Sequence, residues 1–548
     1  MSKITNVALY LKNMARIQPY KKAVICPVSH DKKGRVTYTH FTFRQLDQES
    51  DCLARGLEKI GITRGIRTIL MVKPTLEFFT LIFALFKAGA VPVVVDPGMG
   101  IRRMIACLKE SRSKALIGIP PAHILRLIYP KFFKSVNIFV TVGKRLFWRG
   151  PTLDQLISRP FKPYSIADTR ADETAALLFT TGSTGPAKGV IYTHGHFEAQ
   201  IRHLKEHFSI LPGEVNLPTF PLFALFDPAL GRTSVIPDMD PTRPAHVNPI
   251  KIIEAINNHG VAELFASPAL LNRVGRYGKK NNIKLPSLKR VISAGAPVSP
   301  DNIERFASLL GPDTQIYTGY GATEAMPVAV MGSNEILAET KNLSERGFGV
   351  CIGRSLDKLQ VAIIKITDNP IVEWSENILV ADGDIGEITV KGELVTRQYF
   401  NNARADALSK IRAKNSFWHR MGDLGWKDKK GRIWFCGRKN HRVINSDKTF
   451  FTIPCEAVFN SHPNVFRSAL VGVGEKDNKI PVICIELEPS AKKKNKSQIK
   501  KELLLLAQAS LLTESIKHIF FHKAFPVDIR HNSKIFREKL AVWAEKKL

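Results

Sequence analysis

The amino-acid sequence predicts an α/β fold with a large amino-terminal domain and a small α+β carboxy-terminal domain. Short hydrophobic runs alternate with amphipathic stretches through most of the chain, which is typical of parallel sheets wrapped by helices. After Gly383 the runs become short and alternating, with turn signals between them, which indicates antiparallel strands. The chain has 548 residues, and this length exceeds what one hydrophobic core usually organises.

Three apolar runs and one helical stretch form the first predicted series. The predicted strands are residues 68–72, 91–95 and 115–118, and the predicted helix is 76–87. Asp96-Pro97-Gly98 is a turn signal that closes the second strand. Within the helix, the nine residues Phe78–Phe86 carry no charge, but about 20 are needed to span a bilayer. We therefore expect a buried helix rather than a membrane anchor.

A second parallel series and an antiparallel region follow. The predicted parallel strands are 262–266, 290–293 and 315–317, and the predicted antiparallel segments are 386–392 and 430–437. We place a domain boundary near Gly437–Asn440, which divides the chain into residues 1–437 and 438–548. The second part is predicted to contain strands at 469–473 and 482–487, a helix at 500–512, and a solvated lysine-rich loop at 492–496.

The charge of the chain suits anionic partners. Lys and Arg number 80 and Asp and Glu number 49, so the formal net charge is +31. Local basic clusters lie at 131–149 and 492–501, but no zinc-finger, homeodomain or RNP-type signature accompanies them. We therefore predict a solvated basic surface and no nucleic-acid partner, and we leave peripheral membrane contact open.

Cysteine usage and the amino terminus favour a reducing compartment. The seven cysteines are scattered and never form C-x-x-C, so neither a disulfide framework nor a structural zinc site is expected. Residues 1–16 have no apolar core of the signal-peptide type. A cytoplasmic protein is predicted.

The strongest local signal follows the predicted strand 175–179. Its sequence is Thr180-Thr-Gly-Ser-Thr-Gly-Pro-Ala-Lys-Gly189. Backbone N–H groups, hydroxyls and one ammonium group in such a loop can surround phosphate oxygens. The loop is not a Walker A motif, because Ala187 and Gly189 flank the lysine where that motif needs Gly and then Ser or Thr.

Four further blocks supply groups that suit a nucleotide. Tyr317-Thr-Gly-Tyr-Gly-Ala-Thr-Glu324 follows a short strand, and its last two residues could donate to a phosphate and hold Mg²⁺. Ser293-Ala-Gly-Ala-Pro297 is a small-residue turn against which a flat ring could lie. Met421-Gly-Asp423 offers a carboxylate for a ribose diol, and Arg438 offers a guanidinium group.

These blocks, in this order, resemble the adenylate-forming superfamily of acyl-CoA synthetases, adenylation domains and luciferases. The resemblance extends over nearly the whole chain. It implies stacked α/β subdomains and a β-barrel in the amino-terminal domain, with a small carboxy-terminal domain that rotates about a hinge at Asn440. It also implies that ATP and Mg²⁺ are the cofactors, that a carboxylic acid is the substrate, and that pyrophosphate release leaves an acyl-adenylate.

The resemblance assigns a role to each matching residue. The β- and γ-phosphates would be held by Lys188 and by the loop residues Thr180, Thr181, Gly182, Ser183, Thr184 and Gly185. Adenine would be flanked by Gly295, Ala296, Pro297 and Tyr320. Thr323 would contact the α-phosphate, Glu324 would hold Mg²⁺, and Asp423 and Arg438 would bind ribose. The adenylating lysine matches Lys534 in Arg530-His-Asn-Ser-Lys-Ile535, where the family usually has Ser-Gly-Lys.

Other segments closely resemble the β-lactone synthetases of bacterial long-chain olefin biosynthesis, which were often labelled fatty acyl-CoA ligases. These segments are 93–100, 220–231, 235–244 and 437–443, and they include Ala224 where the wider family commonly has His. The resemblance implies adenylation of a long-chain 2-alkyl-3-hydroxyalkanoic acid and closure by its own 3-hydroxyl, without CoA. By position alone, the candidate bases for that step are Asp227, Asp238, Asp240 and His441. Enzymes of the same lipid pathway would be partners.

The main alternative is a long-chain fatty acyl-CoA ligase, for which CoA would be a co-substrate. Against it, thioester-forming members usually have Asp at the hinge and Gly seven residues later, where this chain has Asn440 and Asp447, and the loop before Pro454 is longer by about two residues. Another alternative is a catalytically silent adenylate-binding or nucleic-acid-binding protein. The joint presence of six residues argues against it: Lys188, Thr323, Glu324, Asp423, Arg438 and Lys534.

Some side chains near the predicted site can be interpreted as structural residues. His194 and His196, just after the phosphate loop, are interpreted as structural residues at a helix start. Phe220, Phe223 and Phe226 are either ordinary core or, as the resemblance implies, the border of an acyl pocket.

Overall fold

The computed structural model describes residues 4–157, 159–180, 187–475, 477–528 and 534–548. The predicted fold class is confirmed. The protein is a mixed α/β structure in which two large sheets are followed by a smaller carboxy-terminal α+β unit.

The first part of the chain begins the large sheet and then forms a six-stranded sheet. Its elements are α1 (Ala8–Ile17), β1 (Lys22–His30), β2 (Val36–Thr42), α2 (Phe43–Lys59), β3 (Arg67–Met71), α3 (Leu76–Lys87), β4 (Val91–Val95), α4 (Ile101–Glu110), β5 (Ala115–Gly118), α5 (Pro120–Ile128), β6 (Ile138–Thr141), α6 (Leu153–Leu156), β7 (Thr174–Thr180), β8 (Lys188–Thr193) and α7 (His194–His207). The six-stranded sheet has the order β6-β5-β3-β4-β7-β8. Its neighbours are parallel except β7 and β8.

The second part adds parallel strands beside β1. Its elements are β9 (Val215–Pro218), α8 (Asp227–Leu230), β10 (Thr233–Val235), α9 (Pro249–His259), β11 (Glu263–Ala266), α10 (Pro268–Lys280), β12 (Arg290–Ala294), α11 (Pro300–Ala307), β13 (Gln315–Ala322), β14 (Ala325–Gly332), α12 (Ser333–Glu335) and α13 (Lys341–Glu345). Strands β13-β12-β11-β9-β10-β1 run parallel. The antiparallel hairpin β13–β14 then reverses the direction of the sheet.

The third part is antiparallel, as the sequence predicts. Its elements are β15 (Val350–Ser355), β16 (Gln360–Ile364), β17 (Gly386–Lys391), α14 (Ala403–Ser409), β18 (Lys410–Ala413), β19 (Ser416–Lys427) and β20 (Ile433–Arg438). These strands continue the same 14-stranded sheet through the pairing of β14 with β15.

The last part has cores of its own. Its elements are β21 (Val443–Ile444), β22 (Thr449–Phe450), α15 (Thr452–Asn460), β23 (Val465–Glu475), β24 (Asn478–Leu487), α16 (Lys496–Gln508), β25 (His518–Phe521) and α17 (Arg537–Glu545). Two hydrophobic clusters consist entirely of residues from this part. The boundary at residues 437 and 438 stays a prediction.

Most of the predicted elements are found, with one clear error of position. The helix predicted at 500–512 is α16, which begins and ends four residues earlier. Asn495 causes the shift, because its side chain accepts hydrogen bonds from the amides of Ser497 and Gln498 and so caps the helix there. Consequently Lys496 starts the helix rather than ending the predicted loop.

Helix α3 is buried, as predicted, and carries a fully buried lysine at its end. The Nζ atom of Lys87 lies 2.6 Å from a carboxylate oxygen of Asp47 and 2.6 Å from one of Asp51, both on α2. These ion pairs fasten α2 to α3. Within the residues that the structure describes, no helix combines the length and apolar character needed to cross a membrane.

Replacing Lys87 with Met should lower the free energy of unfolding by about 3–5 kcal/mol, because two carboxylates lose the cation that neutralises them inside the protein. Urea denaturation measures this change. The exposed Lys493→Met variant is the control and should change stability by no more than about 0.5 kcal/mol. Equal stability of the two variants would contradict the proposed importance of the buried ion pairs.

Candidate active site

A cavity of about 1480 Å³ lies at the carboxyl ends of the parallel strands, which is where open α/β sheets usually bind ligands. Seven of the residues that the sequence predicts for the site line it: Lys188, Gly295, Tyr320, Thr323, Glu324, Arg438 and Lys534. The fold thus brings segments that are far apart in the sequence together around one cavity.

The β13–β14 hairpin presents the two residues Thr323 and Glu324 at its tip. Ala322 pairs with Ala325, so these two residues form the whole turn. Gly321 allows the tight approach, because a Cβ atom at that position would lie 2.7 Å from the carbonyl oxygen of Ala325. Tyr192 Oη donates to the carbonyl oxygen of Thr323 at 2.6 Å. This hydrogen bond therefore fixes the backbone of the turn.

The carboxylate of Glu324 is held by Tyr399, whose Oη donates to Oε1 at 2.7 Å. Burial and the charge of Glu324 both raise the pKa of Tyr399, so this phenol remains a donor. The ammonium group of Lys188 lies 4.8 Å from the centre of the Tyr399 ring, within cation–π range. The predicted phosphate lysine and the predicted Mg²⁺ ligand thus meet at one tyrosine.

The predicted phosphate loop joins β7 to β8. Thr180 and Lys188 are paired across these two strands, so the strands fix both ends of the loop. Thr181, Gly182, Ser183, Thr184 and Gly185 lie outside the described residues.

Asp423 is the centre of a second polar group in the site. Tyr320 Oη donates to Asp423 Oδ2 at 2.7 Å, and Arg438 Nη1 lies 3.0 Å from Asp423 Oδ1. Burial raises the pKa of Asp423, while the positive charges of Arg438 and Lys534 oppose that shift. The carboxylate is therefore surrounded by one phenol and two cations.

The small-residue turn lies directly after β12, as predicted. Gly295 has φ of +93°, a conformation that side chains other than glycine rarely adopt. Gly295 lines the cavity, and Ala296 and Pro297 follow it in the same turn. Their contact with adenine stays a prediction.

Lys534 comes from the carboxy-terminal part and lines the same cavity. Its carbonyl oxygen accepts a hydrogen bond from the amide of Asp528 at 2.9 Å. Its positive charge lowers the pKa of Asp423, so the lysine lies on the same side of the cavity as that carboxylate. The Asn532-Ser533 sequence that departs from the family pattern lies outside the described residues.

Sequence reasoning missed Lys410, which begins β18 beneath Tyr399. Its Nζ atom donates to the carbonyl oxygen of Thr396 and lies 5.8 Å from the centre of the Tyr399 ring. Burial lowers the pKa of Lys410 to about 8, while Glu324 and Asp406 oppose the shift. A lysine that begins a short strand carries no motif, so the sequence offered no signal for this position.

The two histidines after the phosphate loop are structural, as predicted. His194 and His196 lie in the first turn of α7 and are buried. Burial lowers the pKa of each to about 4. His194 Nδ1 accepts a hydrogen bond from the amide of Val7 at 3.3 Å, which ties α7 to the amino terminus.

Two of the four candidate bases are unsuited to the role. Asp227 is fully buried and pairs with Arg232 at 2.6 Å, and it accepts a hydrogen bond from Ser234. His441 is half-buried near Arg438 and Arg537, and burial lowers its pKa to about 3, which makes it a weak proton acceptor.

The other two candidates, Asp238 and Asp240, line the cavity. Asp238 contacts the ring of His30 at 2.9 Å and the ammonium group of Lys251. Asp240 accepts hydrogen bonds from the amide and the hydroxyl of Thr242, at 2.9 and 2.7 Å. The base stays unassigned between these two positions.

The three phenylalanines Phe220, Phe223 and Phe226 line the cavity. The rings of Phe220 and Phe223 lie 5.5 Å apart, and Phe223 lies 4.3 Å from Phe265. Their position therefore agrees with the interpretation, implied by the resemblance, that they border an acyl pocket.

The lengthened loop before Pro454 is a closed hairpin of β21 and β22. The side chain of Asn445 accepts hydrogen bonds from the amides of Asp447 and Lys448, at 3.0 and 2.7 Å. Asp447 is exposed, whereas Asn440 lines the cavity. Of these two positions, only the predicted hinge residue Asn440 thus reaches the site.

Known proteins resemble this chain along its length. The family model for AMP-binding enzyme matches residues 11–400. An olefin beta-lactone synthetase of Stenotrophomonas maltophilia (strain K279a) is 46% identical over 557 aligned residues, covering 100% of this chain and 99% of the relative. That of Xanthomonas campestris pv. campestris is 46% identical, covering 99% and 98%. The amide bond synthetase McbA from Marinactinospora thermotolerans has the same fold, with a TM-score of 0.80, 20% identity and coverage of 98% and 99%.

The lowered pKa of Lys410 predicts a pH-dependent contribution to stability. The unfolded chain binds this proton up to about pH 10.5 and the folded protein only up to about pH 8. Stability should therefore rise with pH across this window. Relative to the Lys410→Met variant, the parent protein should gain about 3 kcal/mol between the two limits.

Chemical denaturation at several pH values measures the difference between parent and variant. The exposed Lys429→Met variant is the control and should follow the parent at every pH. Parallel stability curves for the parent and Lys410→Met would contradict the assignment.

Proposed function

The chain belongs to the AMP-binding enzyme family, and we propose that it adenylates a long-chain 2-alkyl-3-hydroxy acid with ATP and closes the acyl-adenylate to a β-lactone. The observation that carries the proposal is one cavity that is lined both by Lys188, Glu324, Arg438 and Lys534 and by many apolar side chains. Similarity along the full chain to two olefin β-lactone synthetases supports the choice of product.

In the first step, a substrate carboxylate oxygen attacks the α-phosphorus, and the bond to pyrophosphate breaks. Both reactants are anionic, so positive charge and aligned donors supply most of the rate enhancement. We assign the β- and γ-phosphates to Lys188 and the preceding loop, the α-phosphate to Thr323, and the developing charge at the carboxylate to Lys534.

The nucleoside would lie between the turn after β12 and the antiparallel strands. We assign adenine to Gly295, Ala296, Pro297 and Tyr320, and ribose to Asp423 and Arg438. Support comes from the hydrogen bond between Tyr320 and Asp423, which links the adenine and ribose positions.

Mg²⁺ fits the site through Glu324. The ion prefers oxygen ligands and usually combines one or two carboxylates with substrate phosphates and water. Tyr399 binds Oε1 of Glu324, which orients the carboxylate toward the cavity. When bound, Mg²⁺ would neutralise charge on the phosphates.

The acyl chamber suits a substrate with two alkyl chains. The whole cavity, with its polar part included, has a volume of about 1480 Å³, which exceeds the about 300–1,000 Å³ of ordinary ligand pockets. The apolar walls belong to two separate hydrophobic clusters, one around Phe83 and Phe226 and the other around Met104 and Leu125. We assign one alkyl chain to each wall.

In the second step, the substrate's 3-hydroxyl oxygen attacks the activated carbonyl carbon. A new carbon–oxygen bond closes the four-membered ring, the bond between the acyl carbon and the phosphate oxygen breaks, and AMP leaves. The hydroxyl proton passes to a base, for which Asp238 and Asp240 are the cavity-lining candidates. A tethered nucleophile has a high effective concentration, so the reaction needs no CoA.

The two steps would use two arrangements of domains 1–437 and 438–548, related by rotation about Asn440. The separate cores of the last part support this division. We also propose a cytoplasmic location, because all seven cysteines are free and buried, and we expect other enzymes of lipid metabolism to be partners.

Replacing Lys534 with Ala should reduce carboxylate-dependent pyrophosphate release by about 10²–10³-fold, because one charged donor to the transition state is lost. ATP binding should change little, which equilibrium dialysis checks. The exposed Lys546→Ala variant is the control and should keep full activity. Unaltered pyrophosphate release by Lys534→Ala would overturn the assignment.

Incubation with ATP and a 2-alkyl-3-hydroxy acid should yield AMP and a β-lactone without CoA, whereas a simple fatty acid should stall as bound adenylate. Mass spectrometry of the products, with and without CoA, decides the point. CoA-dependent thioester formation at an equal or higher rate would favour the fatty acyl-CoA ligase, and the adenylation step would still stand.

A further inference from the structure

A group of large apolar side chains is exposed around α4, α5 and the loop after β6. We call this group the α4–α5 surface, and it consists of Ile101, Ile124, Leu127, Ile128, Leu146 and Phe147. Ile128 is 62% exposed and Phe147 is 80% exposed. Exposed apolar side chains that cluster in this way usually mark an interaction site, whereas scattered ones do not.

The loop that carries Phe147 is packed beside α5. The ring of Phe147 contacts that of Trp148 at 5.4 Å, and Trp148 stacks on His123 of α5 at 5.1 Å. Trp148 Nε1 also donates to Thr141 Oγ1 at 2.9 Å. Phe147 is therefore presented by an anchored loop rather than by a free one.

The charge around this surface is mostly positive. Between residues 97 and 153 the sequence has eleven Lys and Arg and a single acidic residue, Glu110. Several of the basic side chains are exposed beside the apolar ones: Arg102, Arg103, Lys131, Lys134, Lys144 and Arg149. Apolar groups ringed by cations match a lipid surface that carries negative charge.

The same surface is continuous with the acyl chamber. Ile101 and Pro121 are both exposed and both line the cavity. Behind them, Met104, Ala122 and Leu125 continue the apolar wall inward. An alkyl chain could therefore pass from the α4–α5 surface into the cavity while in contact with apolar side chains.

We propose that the α4–α5 surface docks on an anionic lipid bilayer and that the long-chain acid enters the cavity from the bilayer at Ile101 and Pro121. The evidence for docking is the set of exposed residues alone, whereas the proposed entry of the acid also depends on the proposed function. Two weak contributions hold the protein on the bilayer: insertion of apolar side chains and attraction between basic side chains and anionic lipids. Reversible membrane binding usually combines contributions of this kind.

Sedimentation with vesicles tests the docking. The parent protein should bind phosphatidylcholine vesicles that contain phosphatidylglycerol, and it should bind pure phosphatidylcholine much less. Phe147→Asp should weaken binding at least about tenfold, because a large apolar side chain is lost from the bilayer. Combined Lys131→Gln and Lys144→Gln should weaken it by roughly fivefold for each charge removed.

Matched controls lie elsewhere on the surface. Leu511 is 82% exposed, and Lys492 and Lys493 are exposed in a basic run. Leu511→Asp and combined Lys492→Gln and Lys493→Gln should bind vesicles like the parent protein. Thermal unfolding checks that every variant is folded. Equal binding by all variants would overturn the proposal, as would self-association of the parent protein that Phe147→Asp abolishes without any vesicle binding.

Activity measurements separate docking from the proposed chemistry. With the acid dispersed in detergent, Phe147→Asp should release pyrophosphate at the parent rate. With the acid supplied in anionic vesicles, its rate should fall in proportion to its binding. An equal loss in both assays would overturn entry from the bilayer, whereas inactivity of the parent protein in both would count against the proposed function and leave vesicle binding untouched.

Discussion

The ion pair between Asp423 and Arg438 is the interaction on which the arrangement of the site depends. The two residues face one another across β19 and β20, and Arg438 is the last residue of β20. Tyr320 binds the same carboxylate from β13. Three strands thus converge on one buried group, and because such a group is costly to leave unpaired, the contact fixes their relative positions. The turn that carries Glu324 follows directly from β13 and is positioned with it.

A different set of ion pairs lies at the amino ends of the parallel strands. Glu263 and Arg290 are the first residues of β11 and β12, and Arg290 Nε lies 2.5 Å from Glu263 Oε2. Arg232, just before β10, contacts Glu263 at 2.8 Å and Asp227 at 2.6 Å. These pairs neutralise one another at the amino ends of the strands.

The parts of the site that lie on continuous motifs could be predicted from the sequence. The strand ending at Ala294 and the turn containing Thr323 and Glu324 carry local patterns, because a strand followed by small or polar residues is readable from neighbouring positions. Tyr399 and Lys410 could not be found in this way. Tyr399 joins the sheet by an isolated bridge to Val190, and its partner Glu324 lies 75 positions earlier. Such contacts exist only after the chain has folded.

The joining of a polar site to an apolar chamber bears on the choice between lactone and thioester. A mixed anhydride is open to attack by water, and apolar walls reduce the water around it. If these walls hold the alkyl chains carried by carbons 2 and 3 of the substrate, they limit rotation of the 3-hydroxyl and raise its effective concentration. A nucleophile that arrives with the substrate therefore gains from the apolar surroundings, whereas a separate thiol would need its own route to the reacting carbon. The apolar chamber thus favours closure from within the substrate.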